Sequence, residues 1–241
     1  MEDILINNPI ELLQNTIFIN LKHRTDRLSH VITELKEIGI ENPERFQGIQ
    51  MSMGCVGCTM SHIKCLELAK SRGWSHVFIC EDDIKFTNPS LFLEKLKLFI
   101  DASWGWDVLV IGGNNMPPFQ PLSDFAVRVF NIQTTTGYIV GAHYYDTLIE
   151  NFKEGVGKLI REPNRKKEFA VDIYWKILQK TDNWFFLIPP SVVQYCDYSD
   201  IEEKVTNFER HMLDLDKKAL IEYMMHMRQI NPSMNPNFTL F

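Results

Sequence analysis

Apolar positions along the chain alternate between two periods. Thr16-Ile17-Phe18-Ile19-Asn20-Leu21 is a short β-rich run of the kind that forms a buried strand. Leu28, Val31, Ile32, Leu35 and Ile38 then repeat at helical spacing, with Gly39 placed to stop that helix. A second helix is expected over roughly Thr59 to Ser71, burying Ile63 and Leu66 and stopping at Gly73. Val77-Phe78-Ile79-Cys80 makes the next buried strand and runs straight into Glu81-Asp82-Asp83. Pro89 and Ser90 open a helix carrying Leu91, Phe92 and Phe99, and Asp107-Val108-Leu109-Val110-Ile111 is the strand after it. Strands alternating with helices of about ten residues predict βαβ units and a mainly parallel sheet.

Downstream the pattern loosens. Gly112 to Asp124, rich in Gly, Asn and Pro, reads as a long surface loop. Val127 to Val140 reads as β structure with a polar step at Thr134-Thr135-Thr136, and Arg161 to Glu168 as a charged mobile stretch. A helix near Val171–Lys180 and a strand near Trp184–Ile188 follow. From about Ile201 to Arg228 the pattern is helical, with Leu213, Leu220, Met224 and Met227 apolar, and residues 231–241 read as a frayed tail. The expected organisation is an α/β domain over residues 1–201 and a C-terminal helix and tail, 202–241, packed on it.

Composition narrows the class. The chain has 241 residues, 45% hydrophobic and 23% charged, enough for a real core and too apolar for long disorder. Its net charge of −6 argues against nucleic acid as a partner. No run approaches the ~18 apolar residues of a membrane span. No secretory leader is visible, and five cysteines (Cys55, Cys58, Cys65, Cys80, Cys196) point to reduced thiols, so a cytoplasmic location is expected, with peripheral attachment to a membrane as a variant.

The most informative residues are Glu81-Asp82-Asp83. Three carboxylates after a buried strand place like charges at its carboxyl end, where open α/β sheets bind ligands. A hard divalent cation such as Mg²⁺ or Mn²⁺, shared with a diphosphate, would offset that repulsion. The plainer alternative is a solvated acidic loop. The turn Asn20 to Arg27 offers backbone N–H groups and the guanidiniums of Arg24 and Arg27 to a phosphate, or is an ordinary helix start. Cys55, Cys58, His62 and Cys65 are four zinc ligands by type, but eleven residues that begin a helix bring four ligands together poorly.

Taken in order, these pieces resemble glycosyltransferase family 25, which includes lipopolysaccharide and procollagen galactosyltransferases. Phe18-Ile19-Asn20-Leu21 with Arg24 and Arg27 is similar to the family's opening strand and arginine turn. Arg45-Phe46, Gly57-Cys58-Thr59-Met60-Ser61-His62 and Glu81-Asp82-Asp83 are similar to its next landmarks. Thr134 to Tyr138, Val171-Asp172 and Gln194 to Ile201 are similar to its later ones.

The resemblance implies a GT-A fold and a metal-dependent, inverting transfer of galactose or glucose. The donor would be a UDP-hexose, and the acceptor a hydroxyl of a glycan, lipopolysaccharide-like or protein-linked molecule. It implies Asp83 and Glu81 as ligands of Mn²⁺ or Mg²⁺, and Asp172 as the base, a residue whose alternative role is helix capping. Asn20, Arg24, Arg27, Ser61, His62, Glu81, Asp82 and Gln194 would bind the donor. A nucleotide-sugar hydrolase and a non-catalytic interaction protein are the competing functions, and a homo-oligomer is left open.

Overall fold

The computed structural model describes residues 8–218 together with 221, 222, 225, 226 and 229. Asn8 caps a short helix, α1 (Pro9–Leu13), by accepting from the Ile10 N–H. Strand β1 (Thr16–Asn20) leads through a tight turn into α2 (Thr25–Glu37), which ends at Gly39 with φ of +86°, a conformation that glycine adopts without strain. Strand β2 (Glu44–Gln47), helix α3 (Gly54–Ser71), β3 (His76–Glu81), β4 (Ile84–Phe86) and α4 (Pro89–Asp101) follow. The chain continues through β5 (Val108–Asn115), β6 (Phe119–Pro121), β7 (Ala126–Val129), β8 (Ile132–Gly141) and α5 (Tyr145–Arg161). Three short helices, α6 (Lys166–Phe169), α7 (Val171–Tyr174) and α8 (Lys176–Gln179), precede β9 (Trp184–Leu187) and β10 (Val192–Gln194). The described part closes with the hairpin β11 (Asp197–Ser199) and β12 (Lys204–Thr206) and helix α9 (Glu209–Leu213).

Eight strands form one sheet in the order β2-β1-β3-β8-β5-β9-β7-β6. Side chains alternate along them, so each strand feeds two cores. Val77 and Ile79 of β3 join Val108, Val110, Tyr138, Val140 and Trp175 on the face covered by α3, α5 and α7. Phe78 and Cys80 join Phe18, Leu109, Ile111 and Phe185 on the face of α2 and α4. The result is an α/β fold, a central sheet flanked by helices.

Several expectations change. The sheet is mixed rather than mainly parallel: β1 runs parallel to β2 and β3, and β5 to β9, but β8 lies antiparallel between β3 and β5. The Gly112–Asp124 stretch is not all loop. Strand β5 continues buried to Asn115, because Gly113 lets it pass where a Cβ would stand 2.6 Å from Ile132; glycine here marks close packing inside a strand.

Helix α3 starts at Gly54 rather than Thr59, since a Cβ on Gly57 would lie 2.2 Å from the Ile49 carbonyl oxygen and only glycine lets that loop touch the first turn. Residues 161–168 hold helical turns tied by Arg165 to Glu162 and Glu168. Helix α5, absent from the pattern above, packs on α3. The helix expected from Ile201 begins only at Glu209, because residues 204–206 pair as a strand with β11. Of its apolar positions, Leu220, Met224 and Met227 lie outside the described residues, as does the tail 231–241. Among the described residues no helix is long and apolar enough to cross a membrane.

Candidate active site

The carboxyl ends of β1, β3 and β5, the start of β8 and the first turn of α7 meet at one edge of the sheet. Glu81 is the last residue of β3, and its carboxylate turns toward α3 and β8. Its Oε1 accepts a short hydrogen bond from the Thr135 hydroxyl, lies 3.3 Å from His62 Nε2, and accepts a long contact of 3.9 Å from the Cys58 thiol. Burial alone would raise this carboxyl, but the His62 and Thr135 contacts hold it below the usual range.

Asp82 and Asp83 turn to α2 instead. Arg27 Nη1 donates to Asp82 Oδ1 and to Asp83 Oδ2, both at 3.0 Å, and Asn20 Nδ2 donates to Asp82 Oδ2 at 2.7 Å. Asp83 Oδ1 is buried and has no hydrogen-bond partner among the described residues. Burial, and after it the neighbouring Glu81 charge, push the Asp83 carboxyl up to about 8 against the pull of Arg27. Burial likewise raises Asp82, against Arg27 and Asn20.

The arginines do not point into an open cleft. Arg27 also donates to Asp197 and the Tyr198 carbonyl, while Arg24 is held by Asp26, Asp197, Asp200 and the same carbonyl. The β11–β12 hairpin thus strops its acids across both guanidiniums. Asn20 sits below them, donating to the Arg24 carbonyl as well as to Asp82, with its own Oδ1 buried and unpartnered. Gln194 reaches the same edge on β10, paired opposite Ile84, the residue after the triplet.

Asp172 stands on the α3 and β8 side with Glu81. Its Oδ2 accepts from the Thr134 N–H at 3.1 Å, where Thr134 holds φ of +73°. The N-cap of α7 is Ala170, and Asp172 is the next residue but one, inside the first turn. Burial raises its carboxyl, against Thr134 and Lys176. Lys176 itself donates to Gln133 at 2.6 Å.

Ser61 is not brought to the carboxylates: its hydroxyl donates to the Gly57 carbonyl and accepts the Ile49 N–H, pinning the loop after β2. The four-ligand set of Cys55, Cys58, His62 and Cys65 is not assembled either. Only Cys58 and His62 of that set converge, and they converge on Glu81. The pattern gave no weight to Lys176, Gln133 or the buried amides Asn114 and Asn115. Only Thr135 and Tyr138 had a signal, their place in a family-like segment.

Comparison with known proteins agrees with these motifs. The family model described as glycosyltransferase family 25 (LPS biosynthesis protein) matches residues 41–133, a span that includes Arg45-Phe46, Gly57 to His62 and the acidic triplet. The inactive glycosyltransferase 25 family member 3 of Homo sapiens is 26% identical over 143 residues, covering 58% of this chain and 22% of its own length. A glycosyltransferase 25 family member of Anopheles gambiae is 24% identical over 200 residues, covering 69% of this chain and 32% of its own. The chain therefore spans less than a third of either relative. Among solved structures, a glycosyltransferase involved in glycosylation of the major capsid of PBCV-1 is similar with a TM-score of 0.45 and 12% identity, over 78% of this chain and 97% of that one. Residues 41–133 are thus similar to family 25, and the chain matches its members at low identity.

Proposed function

We propose that the chain transfers a hexose, galactose or glucose, from a UDP-sugar to a hydroxyl of a glycan or glycoconjugate acceptor. The observation that carries this reading is the buried acidic edge at the end of β3, set within the family 25 region. Asp83 Oδ1, buried without a partner beside a second carboxylate, fits a hard divalent cation. Asp83 would hold Mn²⁺ or Mg²⁺, with Glu81 contributing to the same charge balance, and the bound ion supplies Lewis-acid charge for the departing diphosphate.

The protein's own groups do the rest. Asp172, held at one oxygen by the Thr134 N–H, accepts the proton of the attacking hydroxyl; a carboxyl raised by burial suits a general base working near neutral pH. Asn20, Arg27 and Asp82 form one hydrogen-bonded unit that keeps the edge in place for the donor, and Gln194 and His62 flank it. Arg24 and Arg27 meet a donor phosphate only by exchanging the hairpin acids Asp197 and Asp200 for it. Ser61 serves the donor through the loop it pins.

The test is UDP release from a panel of UDP-sugars with Mn²⁺, repeated with EDTA. Metal-dependent release from one donor is expected. Neither release nor UDP binding from any donor overturns the reading and favours an interaction protein; rapid sugar release without an acceptor favours a hydrolase.

A further inference from the structure

The Glu81 side of the edge has the ligand chemistry of a different ion. Cys58 and His62 lie four residues apart on α3, hence on one face of the helix. With Glu81 Oε1, one ligand atom from each lies within 4.8 Å of the other two. Ligands bonded to a tetrahedral zinc-class ion at about 2.0–2.3 Å stand roughly 3.2–3.8 Å apart. The His62–Glu81 separation of 3.3 Å already meets that spacing, and the Cys58–Glu81 separation of 3.9 Å nearly does.

The histidine is also held as a metal-binding histidine is held. Its ring is fully buried between Tyr138 and Phe152, and Nδ1 lies 3.0 Å from the Tyr138 hydroxyl, leaving Nε2 as the nitrogen that faces the thiol and the carboxylate. Thr135 orients Glu81 by donating to Oε1, the same oxygen that faces Cys58 and His62. Among the described residues no lysine or arginine is hydrogen-bonded to Cys58, His62 or Glu81, in contrast to the arginine on Asp82 and Asp83.

We propose that Cys58, His62 and Glu81 form a binding site for a thiophilic divalent ion of the zinc class, with its fourth position open. The site is distinct from the hard-cation site at Asp83. A thiolate and an imidazole select a borderline or soft ion, whereas Mg²⁺ and Mn²⁺ prefer all-oxygen sets. Three protein ligands and one free position is the pattern of ions that exchange water or substrate, not of closed structural sites. Asp172 lies close enough to act electrostatically on both Cys58 and Glu81.

The experiment is Co²⁺ titration of the full chain, stripped with chelator and kept reduced. One equivalent of Co²⁺ should give a thiolate-to-cobalt charge-transfer band with strong visible bands of tetrahedral cobalt. Zn²⁺ should bleach both, and millimolar Mg²⁺ should not. Cys58→Ser should abolish the charge-transfer band and weaken Co²⁺ binding at least tenfold. Asp83→Asn should leave the spectrum as it is while removing Mn²⁺-dependent UDP release, which separates this site from the transfer reading.

As a check that needs no variant, Zn²⁺ should protect Cys58 of the wild-type chain from alkylation, mapped by mass, while exposed Cys196 still reacts. A folded wild-type chain with no charge-transfer band overturns the proposal. So does a band that survives in Cys58→Ser, or alkylation of Cys58 at an equal rate with and without Zn²⁺.

Discussion

The two sides of the acidic triplet solve one problem in different ways. On the α2 side Asp82 and Asp83 share a guanidinium, and Arg27 shares itself further with Asp197 and the Tyr198 carbonyl. On the α3 side Glu81 meets a hydroxyl, an imidazole and a thiol, and no guanidinium. A buried carboxylate oxygen paired with arginine is already compensated; one that no guanidinium reaches can take up a cation, as Glu81 Oε1 and the unpaired Asp83 Oδ1 can. The difference teaches that a run of acids is not a single ligand set. Backbone direction at the end of β3 sorts its members into a scaffold and a working face, and on the scaffold side Asp83 Oδ1 is a buried carboxylate oxygen without a partner among the described residues.

The largest effect should come from breaking the scaffold. Arg27→Ala leaves Asp82 and Asp83 buried without their cation, and removing one partner of such a buried group costs about 3–5 kcal/mol. Urea denaturation should show that loss, with Arg27→Lys recovering only part of it, because a point charge cannot make the fork of contacts. A loss below about 1 kcal/mol would mean that the two sides do not differ as argued.

On the working face the corresponding change should leave stability alone. Asp172→Asn is expected to lower transfer about a hundredfold or more, the usual range for a general base, while UDP binding and Tm hold. A lowered Tm at full rate would return the residue to a structural role.

Asp83 should reveal itself through pH. Its folded carboxyl is pushed up to about 8, above an unfolded value of about 3.9, so the native state binds the extra proton between these limits. Without metal, stability therefore falls as pH rises through that window, and Asp83→Asn should flatten the slope. Cation binding must displace the same proton, so Mn²⁺ affinity should climb by about tenfold per pH unit below about pH 8 and then level off. Calorimetric titration at several pH values checks both.

The smallest effect belongs to the rim. Asp200 is a third exposed, so Asp200→Asn should cost no more than about 1 kcal/mol and lose its effect in high salt. If the hairpin acids give way to the donor, the same variant should bind UDP more tightly, which fluorescence titration reads directly.

The chain's own pattern determined a good deal. Periodicity placed β1, β3, β9, α2 and α4 because the strands are continuous apolar runs and the helices carry one apolar stripe, patterns that a local window suffices to mark. The ordered motifs also pointed to the acidic edge and to the family 25 likeness, since residue type and spacing survive in one dimension. Tertiary structure decided what spacing cannot carry. Gly112, Gly113 and Asn114 have the composition of a loop, yet they form the end of β5 because Ile132 and Thr136 of β8 lie against them. Nothing local says that β8 enters between β3 and β5 in the opposite direction. Contacts such as Arg27 with Asp197 or Glu81 with Cys58 join residues that only the folded chain brings together. Which carboxylate is paired and which is open depends on side-chain direction at a strand end, and that direction exists only after the sheet and its two helix layers have closed around it.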